Sequence, residues 1–181
     1  MVQKIICVIC LVLAIQQVKA QQVKAKLVAA GLTCSMCSKA VYESLSKVKE
    51  VESVKSNIKE SSYAITFKQG TTLNPDNLQK AVKDASFSVA KLQFTLNFEQ
   101  AEVANDAHLT KEGINLHFLN VQQQVLNGEQ TITIVDNGFL PSKEQKQYGK
   151  YTTMQCFTTG KMAACCSASA NEGQRIYHVT L

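Results

Sequence analysis

The spacing of apolar positions changes repeatedly along residues 26–98, and each change marks an element. Residues 26–32 (KLVAAGL) form a short apolar run that predicts a strand. Cys37, Val41, Leu45 and Val48, with Ala40 beside them, then recur every three or four residues, as one buried face of a helix requires. Residues 51–58 predict a second strand, with Val54 and Ile58 on one side. Over 62–68 the alternation is clearer: Tyr63, Ile65 and Phe67 interleave with Ala64 and Thr66. Lys68, Gln69 and Gly70 make a turn. Asn74 followed by Pro75 opens a second helix, because proline suits the first helical position, where the missing N–H costs nothing. Leu78, Ala81, Val82 and Ala85 give that helix its apolar face, and residues 87–94 return to strand. The order β-α-β-β-α-β in so short a stretch favours a four-stranded antiparallel sheet with both helices on one face.

Alternation continues through Leu92, Phe94, Leu96 and Phe98, carrying the last strand towards the next region. Beyond it the pattern thins. Ile114, Leu116 and Phe118 alternate, residues 131–135 (TITIV) read as a strand, and Asp136-Asn137-Gly138 reads as a turn. Ser142 with Gln145 has the spacing of a capping box for a short helix over 142–150. In residues 175–181 (RIYHVTL), Tyr177, Val179 and Leu181 alternate with Ile176, His178 and Thr180, which predicts a closing strand. Residues 99–181 are therefore expected to form a small, mostly-β module after the α+β region of 26–98.

The N-terminus has a different character. Lys4 precedes the apolar run 5–15, too short to span a bilayer, and Val18 and Ala20 are small residues at the two positions a signal peptidase reads. A signal peptide over 1–20, cleaved after Ala20, is expected. QQVKA occurs twice, which makes Ala25 a second possible site. The mature protein would be exported, periplasmic or secreted, with no stable membrane insertion after cleavage. The absence of Asn-x-Ser/Thr acceptor sites favours a periplasm. Cleavage takes Lys4 and Lys19 from a net charge of +5, leaving +3. The basic residues are scattered and Arg175 is the single arginine, so a nucleic-acid partner is not expected. There is no Gly-x-Ser-x-Gly elbow, His-Glu-x-x-His motif or glycine-rich phosphate loop, and an enzyme is not expected.

Cysteine usage carries the chemistry. Of seven cysteines, Cys7 and Cys10 leave with the signal, and Cys34, Cys37, Cys156, Cys165 and Cys166 remain. Five is odd, so they cannot all pair within a monomer. Cys34 and Cys37 fall at the start of the first helix, where unpaired backbone N–H groups favour thiolate. Two thiolates at that spacing suit a soft ion. With no histidine or carboxylate in the loop, two-coordinate Cu(I) or Hg(II) fits better than four-coordinate Zn(II). The same spacing also serves thiol–disulfide exchange or a structural disulfide.

The run Gly31, Thr33, Cys34, Cys37, together with the element order, resembles the heavy-metal-associated domain family. This is the ferredoxin-like module of copper chaperones, copper-pumping ATPases and the periplasmic mercury-binding protein. The resemblance covers about residues 26–94. Leu32 stands where the family has a methionine that packs under the loop. Phe87 fits an aromatic position before the last strand, as core or as a lid over the metal, and Ser86 replaces the family's usual glycine. The resemblance implies a ferredoxin-like βαββαβ sandwich and a metal site at Cys34 and Cys37. Cu(I) is the expected ion, with Hg, Cd or Zn as alternatives, and the expected partners are a metal-donor or metal-acceptor protein. The variable residue Met36 is expected to be exposed. Lys39 and Lys47 are expected to be solvated, and Tyr42 to serve packing.

The C-terminal cysteines admit two readings. Cys156, Cys165 and Cys166, flanked by Met154 and Met162 and followed by His178, offer thiolate, thioether and imidazole ligands for a second metal site. Alternatively, Cys156 pairs with Cys165 or Cys166 to staple a small exported domain. His108 and His117 read as ordinary surface or sheet residues.

Overall fold

The computed structural model of the protein describes residues 22–164, 166 and 172–181. The expected signal peptide, Cys7, Cys10 and Cys165 lie outside the described residues. The elements are β1 (Lys24–Ala30), α1 (Ser35–Ser46), β2 (Val51–Asn57), β3 (Ser62–Phe67), α2 (Pro75–Asp84), β4 (Ser88–Val103), β5 (His108–Lys111), β6 (Ile114–Phe118), β7 (Gln124–Ile134), α3 (Ser142–Tyr148), a 3-10 turn (Gly149–Tyr151), α4 (Cys156–Thr159) and β8 (Ile176–Thr180).

The first half is the ferredoxin-like arrangement, with strands in the order β2-β3-β1-β4 and all three pairings antiparallel. Side-chain alternation sets the register. Ala25, Leu27 and Ala29 of β1 turn inward with Tyr63, Ile65 and Phe67 of β3, and meet Val41 and Leu45 of α1 and Leu78 and Val82 of α2 in one core. The two helices touch each other, the Ser44 hydroxyl donating to the Ala81 carbonyl at 2.6 Å. Asn74 caps α2, its side chain accepting from the Asp76 amide at 3.1 Å, with Pro75 in the first turn. The far end of α2 closes with Ser86 in the left-handed region at φ 67°. The Ser86 amide donates to Lys83 and the Phe87 amide to Val82, the paired bonds of a Schellman cap.

At residue 98 the chain does not leave the sheet. β4 pairs with β1 through Thr95 and with β7 from Gln93 to Val103, and a bulge between Phe98 and Ala101 absorbs the bend, with Gln100 at φ 51°. All eight described strands therefore lie in one sheet, β2-β3-β1-β4-β7-β8-β6-β5, and Phe98, Leu116, Phe118, Ile132, Tyr177 and Val179 share the core of the first half. Arg175 adds a polar tie, its Nε standing 3.1 Å from Asp76 of α2.

The second half departs from expectation in detail. The capping box at Ser142 does not form: Pro141 occupies the cap position of α3, no side chain caps the helix, and the Glu144 and Gln145 amides bond to the Pro141 carbonyl. Ser142 is already the first helical residue, one position too late to cap, and α3 ends at Tyr148. β5 and α4 lie in stretches without a readable pattern. β6 is buried at every position, so its alternation sorts residues between two covered faces rather than between core and water.

Candidate metal centre

Cys34 and Cys37 are brought together by the start of α1. Cys34 is the cap residue, in extended backbone (φ −151°, ψ 163°), and its sulfur accepts from the Cys37 amide at 3.3 Å. The two Sγ atoms share a hydrogen bond at 2.7 Å. That contact with Cys34 holds the Cys37 thiol below its ordinary range; it outweighs the opposing effect of burial, and weaker hydrogen bonds at Thr33 add to the lowering. Cys34 is exposed and Cys37 half-buried. The pair is thus accessible from solvent and supported from the protein side.

The loop beneath is held at several points. Gly31 adopts φ 84°, a conformation that side chains rarely take. Leu32 and Phe87 are half-buried against the main core, and a Cβ added at Gly31 would lie 3.8 Å from the Phe87 ring, so Phe87 closes the inner side of the loop. Below α1, the buried Tyr63 hydroxyl donates to the Ser38 carbonyl at 3.1 Å and lies 3.1 Å from the Ser38 hydroxyl. These bonds fix the first turn of the helix to β3. Sequence reading missed this pair, since Tyr63 shows only as one member of an alternating strand. Met36 is 70% exposed, Lys39 is exposed and 3.7 Å from Glu43, and Tyr42 is exposed rather than packed.

The expected second set is partly assembled. Cys156, Cys166 and His178 are all buried on the same side of the sheet in the second half; Cys165 lies outside the described residues. His117, read from sequence as an ordinary residue, is fully buried beside them, and His108 is half-buried. The sheet explains the convergence. β5 and β6 pair His108 with His117, and the parallel pairing of β6 with β8 places His117 opposite His178. The three histidines of the chain therefore form one row across adjacent strands, with ring centroids 4.3 Å and 4.9 Å apart. Ligand atoms of His117, Cys156 and His178 lie within 4.8 Å of one another, as do those of His108, Cys156 and Cys166.

A four-stranded antiparallel sheet backed by two helices, with two close thiols at the first helix start, defines the first half as a ferredoxin-like domain presenting a CxxC site. Residues 27–88 match the family model of the heavy-metal-associated domain, and through this segment the chain belongs to that family. Among solved structures, oxidized MerP from Ralstonia metallidurans CH34 is 31% identical over 36% of this chain and 93% of its own, with a TM-score of 0.33. The N-terminal domain of PacS from Synechocystis PCC6803 is 23% identical over 39% of this chain and 94% of its own, with a TM-score of 0.32. The CopZ metallochaperone is 19% identical over 37% of this chain and 98% of its own, with a TM-score of 0.34. The curated proteins give no match to the chain.

Proposed function

We propose that the protein is an exported soft-metal carrier that takes up Cu(I) between Cys34 and Cys37 and passes it on by ligand exchange. The observation that carries this reading is the thiol pair itself: two sulfurs 2.7 Å apart at an exposed helix start, with a backbone N–H already donating to Cys34. The loop supplies sulfur and no carboxylate or imidazole, a donor set for a soft ion of low coordination number. Binding displaces the thiol protons, since the thiolate is the ligand.

Transfer follows from access. Cys34 faces solvent, so a thiolate of a partner protein can approach the ion from that side. The ion passes through three sulfur contacts and then leaves Cys34 and Cys37, which recover their protons. Copper stays in the +1 state and no electron moves. Phe87 and Leu32 close the opposite side, so exchange is confined to the exposed one.

Export rests on the N-terminal sequence, with its basic residue, short apolar run and small residues at positions 18 and 20. Cleavage after Ala20 fits the fold better than cleavage after Ala25, because Lys24 and Ala25 are paired in β1 with residues of both β3 and β4.

The test is a competition titration of the reduced mature protein against a chromophoric Cu(I) chelator, beside the Cys34→Ser, Cys37→Ser double variant. The expected result is tight uptake that falls by one equivalent in the variant. Equal uptake by both proteins would remove this pair from the reading.

A further inference from the structure

We infer that the second half of the chain builds its own buried metal centre for a borderline transition ion of the zinc class, with His117, His178 and Cys156 as ligands. This goes beyond the carrier site and shares no residue with it. Two hydrogen bonds orient the imidazoles. Asp106 Oδ1 lies 2.9 Å from His117 Nε2, and Asp136 Oδ1 lies 2.6 Å from His178 Nδ1. A carboxylate oxygen accepts, so each ring donates its N–H outward and keeps the lone pair of its other nitrogen, His117 Nδ1 and His178 Nε2. This carboxylate–histidine arrangement is the one that fixes tautomer and ring orientation around protein-bound metals.

Both imidazoles then lie beside one sulfur. Cys156 Sγ is 3.5 Å from His117 Nδ1, an ordinary length for a thiol donating to the lone pair of a ring nitrogen. Metal–nitrogen and metal–sulfur lengths of about 2.0–2.3 Å make the edge of a tetrahedral shell about 3.6 Å. The same separation therefore lets a metal ion replace the thiol proton between these two atoms with little movement of either side chain. His178 Nε2 is a buried polar atom with no hydrogen-bond partner in the described structure, and a His178 ligand atom lies within 4.8 Å of both others. A buried, unsatisfied ring nitrogen is costly unless something binds it.

Burial reinforces the reading. His117 and His178 are fully inaccessible. Met154, Met162 and Ile176 pack around the cysteines, and the Phe157 ring meets His178 edge-on with centroids 5.2 Å apart. The surroundings are apolar, and the two carboxylates nearest the rings point at their outer nitrogens. Mixed imidazole and thiolate donors favour zinc-class ions over the oxygen-seeking Ca(II) and Mg(II).

The test uses the full mature chain carrying Cys34→Ser and Cys37→Ser, reduced and metal-free, so that it is independent of the carrier site and leaves every residue of the second centre native. Nitrogen-15 NMR of the three histidines is recorded before and after one equivalent of Zn(II). His117 Nδ1 and His178 Nε2 are expected to shift from the unprotonated to the metal-bound range, while His117 Nε2 and His178 Nδ1 keep their protons. Co(II), added in place of Zn(II), is expected to give a thiolate-to-cobalt charge-transfer band that disappears with Cys156→Ser. Imidazole signals that stay unchanged at one equivalent would overturn the proposal. So would a charge-transfer band that survives Cys156→Ser.

Discussion

Asp136 accepts a 2.6 Å hydrogen bond from His178, and its other oxygen lies 3.0 Å from the guanidinium of Arg175. Arg175 in turn reaches Asp76 at the start of α2. The orientation of the buried imidazole is therefore tied to the helix that backs the first half of the sheet. Replacing Asp136 by asparagine keeps the shape but removes the charge that both partners face. Zn(II) affinity of the second centre is expected to fall about 10–100-fold, the usual effect of losing a carboxylate behind a ligating histidine. Urea unfolding of the metal-free protein is expected to show a loss of about 2 kcal/mol, because the hydrogen bonds from His178 and Arg175 lose their charged acceptor. Unchanged affinity would reduce Asp136 to a structural role.

The pH behaviour of the carrier thiols has a definite sign. Cys37 is held below the ordinary thiol range chiefly by its contact with Cys34, so its thiolate persists to lower pH than that of a free cysteine. The alkylation rate of reduced protein, followed residue by residue, should therefore reach its midpoint for Cys37 below that of a model thiol. In Cys34→Ala the midpoint for Cys37 is expected to rise. A midpoint that does not move would assign the effect to the helix start instead.

Ser86 holds a left-handed conformation at the end of α2, where glycine is the usual residue. Ser86→Gly should relieve that strain and be partly offset by the freer unfolded chain, for a net gain of about 0.5–1 kcal/mol. Thermal melting checks this. Destabilisation would mean that the serine side chain contributes more than its backbone costs.

The parts of the molecule that were legible in the sequence are those made by neighbours along the chain. Cys34 and Cys37 lie three residues apart, and a single helix start brings them together. The strands and helices of 26–94 announce themselves by period. Ser86 stood out as a departure from the family glycine, and its φ explains why glycine is usual there. The histidine row was not legible. His117 and His178 meet through the parallel pairing of β6 with β8, which no local pattern encodes, and His108 joins them through β5, a strand of four residues. The apparent capping box at Ser142 failed because Pro141 already occupies the cap. The end of the first domain was blurred because β4 serves both halves, with a bulge where a break was expected.

The proposed export specifies where the mature chain begins. Protein purified from the exported fraction is expected to begin at Gln21, leaving all of β1 in place. Material starting at Lys26 would have lost Lys24 and Ala25 from their pairing with β3 and β4 and should melt at a lower temperature. Intact Met1 on membrane-bound protein would contradict the export reading.

In the proposed carrier, Cys34 and Cys37, rather than the buried histidine cluster, hold copper. X-ray absorption on reduced protein holding one equivalent of Cu(I) tests it most directly, because the two places differ in their donor atoms. The expected spectrum shows a low-coordinate shell of two sulfurs and no imidazole scattering, and it is lost in the Cys34→Ser, Cys37→Ser variant. A first shell containing imidazole nitrogen would place the ion at His117 and His178 and contradict the claim.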